Sequence, residues 1–147
     1  MRIFLDANIL FSAAKTDGPI RELLRLLLDA GNELWVNDFV LAEARRNLER
    51  KGRAALSDFD RLLPRLQHAR GAVAVDGTRD INWLPEKDRP VLGAAMALGC
   101  EVLLTGDRRH FEKGFGRVFG SVLIHSPASL FQSLALPREN PSKTRHG

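Results

Sequence analysis

The chain has few of the residues that staple, anchor or cradle. A single cysteine, Cys100, rules out an internal disulfide. It sits in the apolar stretch GAAMALGC and so reads as a core residue of a protein from a reducing compartment. No hydrophobic run reaches the roughly 20 residues of a membrane span. Only Arg2 precedes the first apolar run, and a carboxylate interrupts it, which does not match a secretory signal. The expectation is a cytoplasmic protein without membrane contact. Glycine is missing from DANIL, the turn after the first strand, where Rossmann-type nucleotide binding needs it. There is no G-x-S-x-G element, and Cys100 is too apolar in its setting to serve as a nucleophile. Charge of one sign is scarce as well. The net charge is +4, and Arg138, Lys143 and Arg145 against Glu139 place half of that excess in residues 137–147. So small an excess permits nucleic-acid binding without arguing for it.

What is there suffices for one core. At 147 residues and 44% hydrophobic, the chain needs no covalent staples. No internal repeat or linker divides residues 1–136, which read as one domain. The segment PRENPSKTRHG (137–147) lacks an apolar face and reads as a disordered tail. Strand patterns are expected at 2–6, 33–37, 72–76, 101–107 and 122–126. Helical patterns are expected at 20–31, 38–52, 54–69, 88–100 and 127–136. Asp38 is a plausible N-cap, and Pro64 should kink or divide the stretch that contains it. The alternation predicts an α/β fold with a mostly parallel sheet of about five strands, covered on both faces.

In such a fold the carboxyl ends of the strands share one rim, where open α/β sheets place their sites. The opening MRIFLDANIL ends an apolar strand on Asp6. Asp107 follows the fourth strand in LLTGD, and Asp88 begins the helix that leads into that strand. Glu43 lies in the first turns of the helix after the second strand. Each acid has a plainer reading: Asp6 as a turn residue, Asp88 as a helix cap, Asp107 as a loop closure, Glu43 as a solvated helix residue. Their agreement on one rim favours a joint role. Four close carboxylates repel one another unless a cation relieves them, and oxygen-only ligation suits Mg²⁺ or Mn²⁺. Such a centre polarises a phosphodiester and activates water for in-line attack.

The segments FLDANIL, VLAEARRNL and DRPVLGAAMALGCEVLLTGDRRHF resemble the PIN-domain nucleases, which include VapC-type toxins. The resemblance spans residues 2 to about 125. On it, Asp6, Glu43, Asp88 and Asp107 match the acidic metal site, and Asn8 and Thr105 match its polar supports. It implies a three-layer α/β/α sandwich and a Mg²⁺- or Mn²⁺-dependent ribonuclease, often a homodimer, held inactive in toxin members by a small antitoxin. There are two departures. Many members carry a further Asp just before the Phe that follows T-x-D; here His110 precedes Phe111, leaving one optional ligand absent. Many also have Ser or Thr at the start of the Glu43 helix, where this chain has Asn37 and Asp38.

Lys87, Arg89, Arg108 and Arg109 flank two of the acids and read either as RNA phosphate contacts or as solvated counter-charges. His68, His110 and His125 show no metal-ligand spacing and are assigned no catalysis, although His110 lies close to Asp107. Trp35 and Trp83 read as core or interface residues before base-stacking ones. Two other readings stay open. One is a PIN-like RNA-binding or scaffold module without catalysis. The other is a phosphatase of the haloacid-dehalogenase type, which needs an acid two residues after its nucleophile, where Asn8 stands.

Overall fold

A computed structural model of the chain describes residues 1–70 and 81–135. Its order is β1 (Arg2–Leu5), α1 (Ala7–Lys15), α2 (Pro19–Asp29), β2 (Glu33–Asn37), α3 (Asp38–Lys51), α4 (Leu56–Leu62) and β3 (Gln67–Ala69). There follow α5 (Arg89–Ala97), β4 (Val102–Leu104), α6 (Arg108–Phe111), β5 (Val118–Phe119), β6 (Val122–His125) and α7 (Pro127–Ala135). The six strands form one sheet in the order β3-β2-β1-β4-β6-β5. Every neighbouring pair is parallel except β5 and β6.

β1 is central because it is apolar on both faces. Ile3, Phe4 and Leu5 point alternately up and down, and none of them is exposed. Val102, Leu103 and Leu104 of β4 are buried in the same way. Helices therefore cover both sides of the sheet, making three layers. Cys100 lies in this core, and burial pushes its thiol up to about 11. Among the described residues no helix is long and apolar enough to cross a membrane.

Several elements differ from the sequence expectations. Strand β1 stops at Leu5, because Asp6 already caps the next helix. That helix, α1, is not among the expected elements. It buries Ile9, Leu10, Ala13 and Ala14 at helical spacing. The expected helix at 54–69 breaks at Pro64. It runs as α4 and a 3₁₀ turn, Leu63–Arg65, after which Leu66 is extended and residues 67–69 become edge strand β3. Asn37, rather than Asp38, caps α3, its Oδ1 accepting the Val40 N–H at 3.0 Å. The sheet gains two strands, β3 and β5, that are too short to leave a pattern in sequence. The strand expected at 72–76 and the tail at 137–147 lie outside the described residues.

Candidate functional site

β1 and β4 lie side by side with Leu5 opposite Leu104, so the residues that follow, Asp6 and Thr105, leave the sheet together. The Asp6 N–H donates to the Leu104 carbonyl at 3.0 Å. The chain crosses from one side of β1 to the other between β3 and β4, so the gap between β1 and β4 is also the point where the strand order reverses.

Asp6 is only 6% exposed. Its Oδ1 accepts the Ala7 N–H at 2.8 Å and starts α1. Its Oδ2 accepts the Thr105 hydroxyl at 2.8 Å and the Asn8 amide at 3.1 Å. Asp6 is thus a helix cap and a rim carboxylate at once. Desolvation raises its pKa from 3.8 to about 6; the Thr105 and Ala7 hydrogen bonds oppose this, and the charges of Glu43 and Asp88 add to it. That mutual repulsion brings Glu43, half-buried on α3, into the same field.

Asn8 and Thr105 tie the strand ends together. Thr105, fully buried, donates to Asp6 and accepts the Asp107 N–H at 3.1 Å. Asn8 donates to Asp6, and its Oδ1 accepts the Gly106 N–H at 2.7 Å. A Cβ on Gly106 would stand 3.2 Å from that Asn8 oxygen, so the close approach favours glycine. Asp107 Oδ1 in turn accepts the His110 N–H at 3.0 Å and caps the single turn of α6.

Asp88 makes no side-chain capping bond, although it precedes α5 and Pro90. The simple cap reading therefore does not describe it. Burial raises its pKa; His110 pulls the other way and Asp107 adds to the rise. Its Oδ2 lies 3.0 Å from His110 Nδ1, and Asp107 Oδ2 lies 2.8 Å from the same nitrogen. These are close ionic approaches rather than aligned hydrogen bonds: His110 Nδ1 and Asp88 Oδ2 are both buried atoms without a hydrogen-bond partner.

His110 is the site residue that sequence spacing did not single out. The one signal was its place three residues after Asp107, on the same helical turn. The other histidines among the described residues sit elsewhere: His68 beside the Leu63 carbonyl, and His125 Nδ1 2.8 Å from Ser129 Oγ. Of the flanking cations, Arg108 and Arg109 are exposed and line a shallow depression with Glu112, His125, Ser126 and Ser129. Lys87 is exposed and its charge is felt at Asp88. Arg89 has a structural task, donating to the Leu84 carbonyl at 2.9 Å and the Asn82 carbonyl at 3.2 Å. Trp83 packs on Phe111 and Phe119, and Trp35 lies partly buried against the core.

The geometry suits a divalent cation. Asp88, Asp107 and His110 each offer a donor atom within 4.8 Å of the other two, the charges of Glu43 and Asp88 act on Asp6, and two buried atoms there, Asp88 Oδ2 and His110 Nδ1, make no hydrogen bond.

The same fold occurs in solved structures. VapBC2 from Rickettsia felis, bound to a DNA fragment from its promoter, aligns with a TM-score of 0.60 at 18% identity, covering 86% of this chain and 98% of that one. VapBC-1 from nontypeable Haemophilus influenzae aligns at 0.55 and 12% identity, covering 87% and 99%. Mycobacterium tuberculosis VapC20, described as a sarcin-ricin loop cleaving toxin, aligns at 0.53 and 16%, covering 79% and 98%. No curated protein matches the sequence. A family model described as PIN domain matches residues 2–109, most of the chain, and the chain belongs to that family.

Proposed function

We propose that the chain is a Mg²⁺- or Mn²⁺-dependent endoribonuclease that acts as the toxin of a toxin-antitoxin pair. The observation that carries this reading is the electrostatic coupling that links Asp6, Glu43, Asp88 and Asp107, which come from four separate segments, with Asp88 Oδ2 buried and without a hydrogen-bond partner. These four residues would hold the cation. When bound, it supplies Lewis-acid polarisation of the phosphodiester and activation of water.

The chain's own residues do the rest. Thr105 and Asn8 fix the Asp6 carboxylate, so it meets the cation without reorganising. Asp107 is fixed by its backbone bond to Thr105 and its cap of α6. Arg108, Arg109 and Lys87 would hold RNA phosphates beside the acids. No side-chain nucleophile is needed, and the buried Cys100 thiol, with its raised pKa, is unsuited to be one. The phosphatase reading loses its acid: the amide of Asn8 is committed to Asp6 and its carbonyl to Gly106.

RNA as substrate and an antitoxin as partner follow from likeness. VapC20 is described as cleaving the sarcin-ricin loop, and two relatives are VapBC assemblies. The same reading includes a homodimer in the cytoplasm. The test incubates the protein with structured and single-stranded RNAs in Mn²⁺, Mg²⁺ or EDTA, beside Glu43→Gln. Cleavage that needs metal and vanishes in the variant, with circular dichroism unchanged, is the expected result. RNAs left intact by the wild-type protein with either metal would overturn it.

A further inference from the structure

We infer that His110 is itself a metal ligand through Nδ1, giving this chain a mixed nitrogen and oxygen centre with Asp88 and Asp107. The inference rests on the metal-dependent reading above and adds a residue to it.

The distances fit one shared ion. One donor atom from each of Asp88, Asp107 and His110 can be chosen so that all three lie within 4.8 Å of one another. Nδ1 stands 3.0 Å from Asp88 Oδ2 and 2.8 Å from Asp107 Oδ2. Neighbouring ligands on an octahedral ion at about 2.1 Å are separated by about 3.0 Å, and opposite ones by about 4.2 Å.

The directions agree with the distances. Were His110 only an imidazolium counter-charge, its Nδ1–H would be expected to point at one carboxylate. Neither oxygen lies where that hydrogen would donate, and the nitrogen stays without a hydrogen-bond partner. Two neighbouring ligands of one octahedral ion behave in this way: seen from the first, the second sits about 45° off its lone-pair axis. A buried imidazole nitrogen and a buried carboxylate oxygen that face each other at 3.0 Å without a hydrogen bond are poorly satisfied, and a cation between them serves both.

The chemical consequence is a change of metal preference. Mg²⁺ favours oxygen donors and keeps its water, whereas imidazole suits first-row transition ions. With a histidine where many PIN domains carry a further carboxylate, the centre should rank Mn²⁺ and Co²⁺ above Mg²⁺.

The experiment is Mn²⁺ titration of the full chain followed by electron paramagnetic resonance, with electron spin echo modulation on the bound ion. The wild type should bind Mn²⁺, show ¹⁴N coupling from a directly bound imidazole, and resist displacement by Mg²⁺. His110→Asn should lose the coupling and weaken Mn²⁺ binding by at least about tenfold. His110→Asp should bind again, without ¹⁴N coupling and with Mg²⁺ competing more effectively. Mn²⁺ bound by the wild type without ¹⁴N coupling, or with an affinity that His110→Asn leaves within twofold, overturns the inference while sparing the nuclease reading. No Mn²⁺ binding by the wild type overturns both.

Discussion

The Thr105 hydroxyl donates to Asp6 Oδ2 across 2.8 Å, joining the ends of two neighbouring strands that are 99 residues apart in the chain. The same oxygen accepts the N–H of Asp107, so one buried hydroxyl sets the position of two acids. Thr105→Val keeps the shape and removes both bonds. It leaves the buried Asp6 carboxylate short of a donor and the Asp107 N–H short of an acceptor. The expected loss is about 2–3 kcal/mol of stability, with cleavage reduced further than stability alone explains. Thr105→Ser should recover most of both. Urea unfolding and RNA cleavage rates, measured on the same samples, check the pair; a Val variant as active as the Ser variant would count against this role.

The pH response of Asp6 gives a second prediction. Its folded pKa, about 6, lies above the ordinary 3.8, chiefly through desolvation. The folded protein therefore keeps a proton that the unfolded chain releases between about pH 4 and 6. Stability from this group is full below pH 4, falls as pH rises through that window, and stays lost above it, by about 3 kcal/mol. In EDTA, Asp6→Asn should match the wild type near pH 4 and melt at higher temperature than it at pH 8. The gain will be smaller than the full figure, because the new amide faces the Asn8 donor. Adding Mn²⁺ at pH 8 should reverse the order: at 100 times its Kd a ligand adds about 2.7 kcal/mol to the form that binds it. Calorimetry at pH 4, 6 and 8, with and without Mn²⁺, reads both effects. A melting difference that ignores pH would contradict the desolvation argument.

Asp88 and Asp107 separate a site role from a cap role. Asp107 accepts the His110 N–H, so Asp107→Ala should cost about 1 kcal/mol even in EDTA, as loss of a helix cap does. Asp88 makes no capping bond, and burial raises its pKa against ionisation. Asp88→Ala should therefore leave the melting temperature in EDTA nearly unchanged or slightly raised. Both variants should lose the stabilisation that Mn²⁺ gives the wild type. Parallel melting curves distinguish the two; a large loss in Asp88→Ala without metal would return Asp88 to a structural role.

The parts of the fold and site that could be read from sequence are those where burial leaves a long signature. Ile3-Phe4-Leu5 ending on Asp6, and Val102-Leu103-Leu104 ending before Thr105, are continuous apolar runs, as central parallel strands must be. Their ends locate two acids at once, and the helix starts locate Glu43 and Asp88. Edge strands β3 and β5, three and two residues long, bury too little to show a pattern. Helix α1 leaves no separate start signal, because its cap, Asp6, is also the residue that ends the strand. His110 was hidden for a related reason. It follows Asp107 on a helix of four residues, and only the fold brings Asp88 to its ring. Sequence leaves the cap of α3 open between Asn37 and Asp38, which are chemically equal candidates, and only the backbone geometry selects Asn37.

The cations around the rim divide by what already occupies them, and this sets the last prediction. Arg89 is held by two backbone carbonyls, whereas Arg108 and Arg109 are exposed beside Asp107. Phosphate contacts by free arginines make binding salt-dependent and indifferent to sequence. Binding should be measured in the Glu43→Gln background, so that RNA stays intact, by fluorescence anisotropy across a KCl series. Replacing Arg108 and Arg109 by alanine should weaken binding uniformly across RNAs and flatten the log-log salt slope by about 0.7 per lost phosphate contact on a single strand. Arg89→Ala should instead lower the melting temperature, because the Leu84 and Asn82 carbonyls lose their donor, and leave the salt slope unchanged. If the Arg108 and Arg109 variant kept the full slope, those side chains would be solvated counter-charges of the acidic patch, and the phosphates would have to be held elsewhere.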